Sequence, residues 1–369
     1  MAGGARIQRQ ENHGMGDVNE FVNNRTDMQK LLTIVVPVYK VEPYINKCLD
    51  SCLIYKTNEQ GEKVLDEELT NQLEVIIVND GTPDNSAEMS REYVKRYPQT
   101  FRQIDKENGG HGSAWNVGLK EATGKYLRFL DSDDWLTNLE VLLKRLDSTD
   151  VDMVFTHKRH CYVDGKEEVW KVNCRYEEMD EVAKFPFEAN HHDISIGSFM
   201  YVAYKTNLLQ RYYPLFHEHV YYDDSILFVA PIMCAQTWVA YDIVVYNYLL
   251  GREGQTMDPN VLRRNVSYRI DAQDYMNSFC QRFDKDAMNA GVREWIAFVL
   301  GKHASYIFPY VVSLPYGKAK VESRKLFSAI LQVEKELPST KMLYRYKKLP
   351  FFMFYVLEKI RASKLNTKL

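Results

Sequence analysis

Two nearly continuous apolar runs, separated by a helical pattern, constrain the fold of this chain more than any other feature. The runs Leu31 to Tyr39 (LLTIVVPVY) and Leu73 to Asn79 (LEVIIVN) are rich in β-branched residues. Runs of this kind are typical of parallel strands that are covered on both faces. A helical pattern opens at Pro43 and continues to Tyr55. The segment therefore predicts a β-α-β unit.

The alternation of strand and helix patterns continues along the chain. Further strands are predicted at 101–105, 125–130, 151–156, 197–204 and 238–248, and further helices at 84–97, 111–122, 138–146 and 223–234. This order predicts an α/β fold with a doubly wound, mostly parallel sheet flanked by helices. From Asn260 onward the pattern is helical and charged, which predicts a helical C-terminal extension. The expected divisions are a disordered lead-in at 1–30, an α/β domain at 31–255 and a helical region at 256–369.

Composition excludes several classes of protein. The 369 residues are 45% hydrophobic and 26% charged, which excludes disorder as the dominant state. The 47 Lys and Arg residues nearly balance the 50 Asp and Glu residues, so we expect no nucleic-acid partner. Six cysteines without a CxxC pair favour reduced thiols in a cytoplasm. The first thirty residues contain no apolar segment typical of a signal peptide, and no apolar run approaches the ~20 residues of a membrane span.

Acidic residues follow two of the predicted strands. Asp80 follows the second apolar run, and Asp131-Ser132-Asp133-Asp134 follows the strand at 125–130. Ligands of open α/β sheets bind beyond the carboxyl ends of the strands. Three carboxylates in one turn repel each other unless a cation offsets them, and oxygen ligands suit Mg²⁺ or Mn²⁺. The alternative is an acidic helix N-terminus, worth about 1 kcal/mol.

A glycine-rich turn lies between these acidic positions. Asn108 to Gly118 (NGGHGSAWNVG) opens a predicted helix, whose free N–H groups can face an anion. The spacing is not GxGxxG, and the turn follows the third strand rather than the first. The sequence therefore disfavours an NAD-dependent oxidoreductase.

Four blocks of the sequence occur together in a recognisable order. They are IVVPVYKVEPYINKCLDS (34–51), EVIIVNDGTPDNS (74–86), ENGGHGSAWNVGLKEATGKYLRFLDSDDW (107–135) and YYDDSILF (221–228). In these blocks the chain resembles glycosyltransferase family 2, whose members have the nucleotide-sugar-binding GT-A fold. The blocks span about 200 residues, and their shared order is far more specific than a single DXD motif.

The resemblance implies a donor site for a nucleoside-diphosphate sugar, with UDP as the expected nucleotide. In the family's pattern, Asp80 would accept a hydrogen bond from the base, Asp131 would lie by the ribose, and Asp133 would bind Mn²⁺ or Mg²⁺ at the diphosphate. Arg252 would contact the leaving group, although a solvated loop arginine is an equal alternative. The donor-nucleotide residues would be Pro37, Val38, Tyr39, Asp80, Gly110, Asp131, Ser132 and Arg252.

The resemblance also implies the chemistry. Asp223 and Asp224 match the place where the family has its catalytic base, and we prefer Asp224. A base that takes the proton of an acceptor hydroxyl, with a metal on the leaving diphosphate, supports a single inverting displacement. The expected enzyme is a hexosyl- or N-acetylhexosaminyltransferase of polysaccharide biosynthesis. Its acceptor would be a glycan or a lipid-linked glycan.

The sequence departs from the family pattern at two positions. Asn79 replaces the first carboxylate of the usual Asp-Asp-Gly, and Trp115 stands where many members have Arg. The missing arginine puts the identity of the donor in doubt rather than catalysis. His111, in the glycine turn, either touches the donor or acceptor or is an exposed turn residue.

Two other functions remain as alternatives. A nucleotidyltransferase would need a basic, glycine-rich loop near its first strand, where residues 34–40 offer only Lys40. A non-catalytic nucleotide-sugar-binding or scaffold protein would keep the fold, but retention of the acidic residues argues against it.

The C-terminal segment 341–369 is basic and partly apolar. It has eight Lys and Arg residues and one acid, Glu358, around the run Leu349 to Leu357 (LPFFMFYVL). This pattern predicts a peripheral contact with an anionic membrane, such as the inner face of a plasma membrane. The alternative is a packing helix with snorkelling lysines. No motif indicates an oligomeric state.

Overall fold

The computed structural model describes residues 30–172, 179–184, 198–252, 255–256, 258–283, 290–334 and 349–365. The strands are β1 (Leu32–Val38), β2 (Tyr55–Thr57), β3 (Lys63–Leu65), β4 (Leu73–Asn79), β5 (Phe101–Asp105), β6 (Tyr126–Phe129), β7 (Trp135–Leu136), β8 (Met153–Tyr162), β9 (Glu167–Trp170), β10 (Ala183–Lys184), β11 (Val202–Lys205) and β12 (Thr237–Leu250). The helices are α1 (Ile45–Asp50), α2 (Glu67–Thr70), α3 (Ser86–Arg96), α4 (His111–Glu121), α5 (Leu139–Asp147), α6 (Thr206–Gln210), α7 (Pro259–Arg264), α8 (Val266–Cys280), α9 (Ala290–Val311), α10 (Tyr316–Glu334) and α11 (Phe351–Leu365). Short 3-10 helices occupy Phe199–Tyr201, Asp223–Phe228 and Pro231–Met233.

One mixed sheet organises the molecule. Its main order is β10-β12-β8-β11-β6-β1-β4-β5, and β7 and β9 pair with β12 and β8 respectively. The strands β1, β4, β5 and β6 run parallel, whereas β11 runs antiparallel to both of its neighbours. Every residue of β1 and β4 is buried, as their apolar runs predicted. The predicted α/β fold with a mixed sheet flanked by helices is confirmed, and parallel pairing dominates around β1 and β4.

Two predicted helices differ from the structure. The segment 223–234 forms two 3-10 helices instead of one α-helix, because Pro231 has no N–H for the bond that an α-helix requires there. The helix predicted at 43–55 covers only Ile45–Asp50. Downstream of it, Tyr55–Thr57 pairs with Lys63–Leu65 in a small hairpin that the polar insertion did not reveal.

The helices after residue 258 share a core with the sheet. Met276 and Phe279 of α8 and Trp295 of α9 are buried in the same apolar cluster as the strands. A second cluster joins α8 to α11 around Phe308 and Phe354. Within the described residues, no helix combines the length and the hydropathy that a bilayer crossing requires. Residues 1–29 of the predicted lead-in and residues 335–348 and 366–369 of the C-terminal region lie outside the described residues. The domain boundary near 255 stays a prediction.

Candidate active site

A cleft of about 1750 Å³ lies at the carboxyl ends of β1, β4 and β6. Because β4 and β6 flank β1 on opposite sides, the chain changes direction across the sheet at this point, which is where open α/β sheets bind ligands. Helix α9 contributes the opposite wall through Trp295 and Tyr306. All eleven residues singled out from the sequence line this cleft: Pro37, Val38, Tyr39, Asp80, Gly110, Asp131, Ser132, Asp133, Asp223, Asp224 and Arg252.

The turn after β6 holds three carboxylates close together. Oxygens of Asp131, Asp133 and Asp134 all lie within 4.8 Å of one another. Asp134 is buried and accepts hydrogen bonds from the Tyr246 hydroxyl at 2.6 Å and the Leu249 backbone N–H at 2.8 Å. Burial and the nearby Asp131 hold the pKa of Asp134 well above its usual range. Asp134 therefore fastens this turn to β12.

Arg252 reaches the same turn from the loop after β12. Its guanidinium forms an ion pair with the carboxylate of Asp133 and lies 4.9 Å from the ring centre of Tyr44. The side chain is only 20% exposed. Arg252 is thus a cleft residue rather than a solvated loop arginine, and its partner in this structure is the carboxylate assigned to the metal.

His111 joins carboxylates from two distant parts of the chain. Its Nε2 lies 3.1 Å from Oδ1 of Asp131, and its Nδ1 lies 3.1 Å from Oδ2 of Asp223. Burial alone lowers the pKa of His111, but Asp223 and Asp131 raise it well above its ordinary value. The charged ring therefore donates one N–H to each carboxylate. His111 thus lines the cleft and bridges two carboxylates, an arrangement that neither sequence alternative described.

Glycines let the first turn of α4 approach these carboxylates. Gly110, the N-cap residue, has φ +86°, a conformation that favours glycine. A Cβ atom on Gly112 would lie 2.5 Å from the backbone oxygen of His217 and 2.6 Å from Oδ2 of Asp223. Only a residue without a side chain fits at position 112.

Asp80 shapes the glycine turn. Its Oδ1 accepts hydrogen bonds from Lys106 Nζ at 2.6 Å and the Gly109 N–H at 2.9 Å, while Oδ2 accepts from the Gly110 N–H at 2.8 Å. Asn79, the departure from the family's acidic pattern, donates to Asp105 and accepts from the Thr82 N–H. These two residues thereby fix the loops at the base of the cleft.

Asp224 differs from its neighbour Asp223 in its contacts. Both belong to the first turn of the 3-10 helix Asp223–Phe228, which follows Tyr222 in a left-handed conformation. In the part of the chain that the structure describes, the Asp224 carboxylate accepts no hydrogen bond. Burial, together with the charge of Asp223, raises the pKa of Asp224 to about 7. Asp224 is therefore half-protonated near neutral pH and faces the cleft.

Residues of helices α8 and α9 contact the Asp224 segment. His303 is half-buried, and desolvation lowers its pKa to about 3, so its ring is neutral. Its Nδ1 donates to the Gln273 side-chain oxygen at 2.7 Å, and its Nε2 lies 3.5 Å from the Ser225 hydroxyl. The residue next to Asp224 is thus tied to the C-terminal helices.

Trp115 fills the position where many members of the resembled family have Arg. It is fully buried, stacks on Phe129 at a centroid distance of 4.4 Å and lies 4.2 Å from the His111 ring. An aromatic core residue therefore packs against the His111 ring at this position.

Several cationic residues of the cleft were missed from the sequence. Lys158 of β8 and Arg269 of α8 are two of them. Arg269 lies 4.7 Å from the ring centre of Tyr222. Its charge partly opposes the rise in the pKa of Asp224 that burial causes. The available signal for Lys158 was a polar run, His157 to His160, inside an otherwise apolar strand. Nothing in the sequence indicated that Arg269 lies in the cleft, because arginines are common on helices.

Comparisons with known proteins agree with the motifs. A model of glycosyl transferase family 2 matches residues 33–202. EpsJ of Bacillus subtilis, an uncharacterized glycosyltransferase, is 37% identical over 129 residues, which cover 34% of this chain and 33% of EpsJ. The teichoic acid poly(glycerol phosphate) polymerase of Staphylococcus epidermidis is 29% identical over 287 residues, which cover 73% of this chain and 35% of the polymerase. The chain thus matches about a third of the length of these relatives.

Among solved structures, S. aureus TarS 1–349 in complex with UDP-GlcNAc has a TM-score of 0.47 and 19% identity, covering 83% of this chain and 90% of that one. The family assignment rests on the matched model and the four sequence blocks. Over residues 33–202, the chain carries a domain of glycosyl transferase family 2, as its motifs predicted.

Proposed function

We propose that this chain is an inverting, divalent-metal-dependent glycosyltransferase. The donor is a nucleoside-diphosphate sugar, with UDP as the first nucleotide to test, and the group transferred is a hexosyl or N-acetylhexosaminyl residue. The acceptor is a hydroxyl of a glycan or a lipid-linked glycan. The observation that carries this proposal is the pair of carboxylate groups in one cleft, the turn at 131–134 and the pair at 223–224, held together by His111.

Asp224 is the proposed catalytic base. Its carboxylate has a pKa of about 7, which is close to the optimum for a general base at neutral pH. Asp223 is engaged by His111, so it positions that ring instead of taking a proton. In the proposed reaction, Asp224 accepts the acceptor hydroxyl proton as the oxygen attacks the anomeric carbon and the diphosphate leaves. One displacement of this kind inverts the anomeric centre without a covalent enzyme intermediate.

The carboxylate turn fits a divalent metal. Three carboxylates within 4.8 Å form a hard oxygen donor set, which suits Mn²⁺ or Mg²⁺. Because Tyr246 and Leu249 already engage Asp134, the residue that would hold the ion is Asp133, with Asp131 beside it. A bound ion would neutralise the charge of the diphosphate leaving group. Arg252, already paired with Asp133, would offer a second positive charge at that end of the donor.

A thermal-shift titration tests the donor site. The full chain is titrated with UDP, GDP and their sugars, each with and without Mn²⁺. A ligand that binds only the folded state at about 100 times its Kd stabilises it by roughly 2.7 kcal/mol. A shift that requires both nucleotide and metal supports the proposal, and the nucleotide that gives it identifies the nucleobase of the donor. The absence of a shift with every nucleotide contradicts the proposed donor site.

Donor turnover separates an enzyme from a binding or scaffold protein. An enzyme with Asp224 as base should release nucleoside diphosphate slowly to water, even without the acceptor. Asp224→Asn should slow this release. The matched control, Asp164→Asn, should not, because Asp164 lies in the exposed turn after β8 and does not line the cleft. A chain that binds the donor but never releases diphosphate would be the scaffold protein.

We also propose that helix α11 contacts an anionic membrane, such as the inner face of a plasma membrane. One side of the helix packs on the molecule through Phe354, which is 1% exposed. Its other side exposes five apolar side chains: Phe352, Met353, Val356, Leu357 and Ile360. Lysines and arginines dominate 341–369, so the exposed apolar face adjoins a basic segment.

Liposome sedimentation of the full chain tests this contact. Phe352→Ser combined with Leu357→Ser should weaken binding to vesicles that contain anionic lipid, and should leave binding to neutral vesicles at its low level. Val141→Ser, an exposed apolar change on α5, is the control. Equal sedimentation of the double variant and the unmodified chain would contradict the proposal.

A further inference from the structure

A buried lysine that has no carboxylate partner among the described residues lines the cleft. Lys158 of β8 is 9% exposed. Its Nζ lies 3.8 Å from the Met200 sulfur and 5.0 Å from the ring centre of Tyr201. No ion pair among the described residues includes Lys158. Burial lowers its pKa to about 8, with Asp134 partly opposing that effect.

A buried ammonium group of this kind lowers the stability of the folded state. Removing a charge from water without a partner destabilises the folded state, and cation–π contacts offset only part of that cost. A methionine would fill the same space without a charge. The lysine is therefore best explained by a ligand whose negative charge completes the site.

An aromatic wall stands beside this lysine. The His160 ring stacks on Trp170 at a centroid distance of 4.5 Å and an angle of 21°, and Tyr248 lies 5.7 Å from His160. Lys158 lies 6.0 Å from the Trp170 ring centre and 5.8 Å from that of Tyr248. Trp170 is 46% exposed on β9 although it is large and apolar. An exposed aromatic face suits the apolar face of a sugar ring.

The strand order separates this wall from the nucleobase end of the proposed donor site. Strand β8 lies beyond β11 and β6, whereas Tyr39 and Asp80, two of the proposed nucleotide residues, follow β1 and β4. Tyr248 is close enough to Asp134, Asp131 and Asp224 for their charges to raise its pKa further. The wall therefore lies near the proposed catalytic base and away from the nucleobase end.

We propose that Lys158 and the wall of Trp170, His160 and Tyr248 bind an acceptor sugar that carries a negative substituent, either a carboxylate or a phosphate. Lys158 contacts the anion, and Trp170 packs on the sugar face. This assignment rests on the proposed glycosyltransferase function, because it names the acceptor class of the same cleft.

Saturation-transfer NMR on the full chain, with UDP and Mn²⁺ present, measures this preference directly. The probes are methyl β-D-glucuronide against methyl β-D-glucoside, and glucose 6-phosphate against glucose. One anionic probe should bind about tenfold more tightly than its neutral match, as a charge-assisted hydrogen bond implies. The two pairs distinguish a carboxylate from a phosphate. Equal binding of both anionic probes and their neutral matches would overturn the proposal.

Variants assign the preference to residues. Lys158→Met should abolish the anionic preference and leave the neutral probes unchanged, whereas Trp170→Ala should weaken charged and neutral probes alike. Lys144→Met, on the exposed face of α5, is the control. An anionic preference retained in Lys158→Met overturns the proposal. Because Lys158→Met removes a buried charge, its melting temperature should be no lower than that of the unmodified chain.

The thermal shift with UDP and Mn²⁺ distinguishes a role of Lys158 in acceptor binding from a role in donor binding. Lys158→Met should keep the UDP- and Mn²⁺-dependent thermal shift. A weakened UDP shift in Lys158→Met would place Lys158 in the donor site and overturn the acceptor assignment. A chain with no UDP shift at all would contradict the proposed function, while the sugar preference could still be measured.

Discussion

A Cβ atom on Gly112 would lie 2.6 Å from the carboxylate oxygen Oδ2 of Asp223, closer than real Cβ atoms approach. The backbone of the first turn of α4 thus packs directly against the Asp223 side chain. The imidazole of His111 bridges the same two elements. Their spacing depends on the absence of one methyl group.

Gly112→Ala should therefore separate these elements. We expect a loss of about 1–3 kcal/mol of stability from overpacking, and a larger proportional loss of transfer activity because the Asp223–His111 contact is broken. Gly317→Ala is the matched control, because nothing lies within 4 Å of a Cβ there. It should be neutral or stabilising by up to about 1 kcal/mol. Denaturant unfolding and donor turnover measure both effects, and an unchanged Gly112→Ala variant would contradict the tight contact.

Asp224→Asn should slow sugar transfer by roughly 10²- to 10⁴-fold, the contribution of a positioned general base. Donor binding should remain nearly intact, since Asp224 is not one of the proposed nucleotide residues. The measurement is kcat together with the UDP-dependent thermal shift. If Asp224→Asn transfers at the normal rate, Asp223 becomes the candidate base.

The activity should depend on pH through Asp224. Only its ionised form accepts a proton, and its pKa is about 7. The rate should therefore fall about tenfold per pH unit well below pH 7 and level off above it. The charge of His111 lowers the pKa of Asp224, so His111→Gln should shift the acidic side of the pH–rate profile to higher pH. If the acidic side of the profile does not shift in His111→Gln, a group other than Asp224 controls the pH dependence.

Asp133→Asn should weaken the metal-dependent part of donor binding. Removal of one carboxylate reduces the negative charge that would hold Mn²⁺, so the thermal shift with UDP and Mn²⁺ should shrink towards that with UDP alone. Asp147→Asn, at the end of α5, provides the comparison. An undiminished Mn²⁺-dependent shift would exclude Asp133 as the metal ligand.

Tyr246→Phe should destabilise the fold without changing its apolar packing. The lost hydroxyl donates to Asp134 at 2.6 Å and accepts from the Asp131 N–H at 3.2 Å. Leaving these buried groups without a partner should cost about 1–3 kcal/mol. Tyr306→Phe, at a side chain that is 60% exposed, should have little effect on stability. Thermal unfolding compares the two variants.

The sequence predicted most of what local pattern controls. The apolar runs at Leu31 to Tyr39 and Leu73 to Asn79 became β1 and β4, because strands buried on both faces leave a continuous apolar signature. The convergence of Asp80 and Asp131 followed from a general rule, since the carboxyl ends of parallel strands meet at one edge.

The remaining features depend on contacts between distant segments. His111 and Asp223 are 112 positions apart, and nothing local to either residue reveals the other. The ion pair of Arg252 with Asp133 likewise joins a loop after β12 to a turn after β6. The 3-10 conformation at Asp223–Phe228 was missed because acidic and apolar residues there also fit an α-helix, and only Pro231 hinted at the interruption.

The contact between the His303 ring and the Ser225 hydroxyl, at 3.5 Å, has a consequence for protein engineering. A chimera that exchanges the C-terminal helices between relatives, in order to exchange their acceptors, would cut this connection if the junction were placed at residue 255. The transplanted helices should therefore be accompanied by their own Asp223–Phe228 segment. In modular terms, the proposed base belongs with the helices that follow it in the chain rather than with the nucleotide half that precedes it.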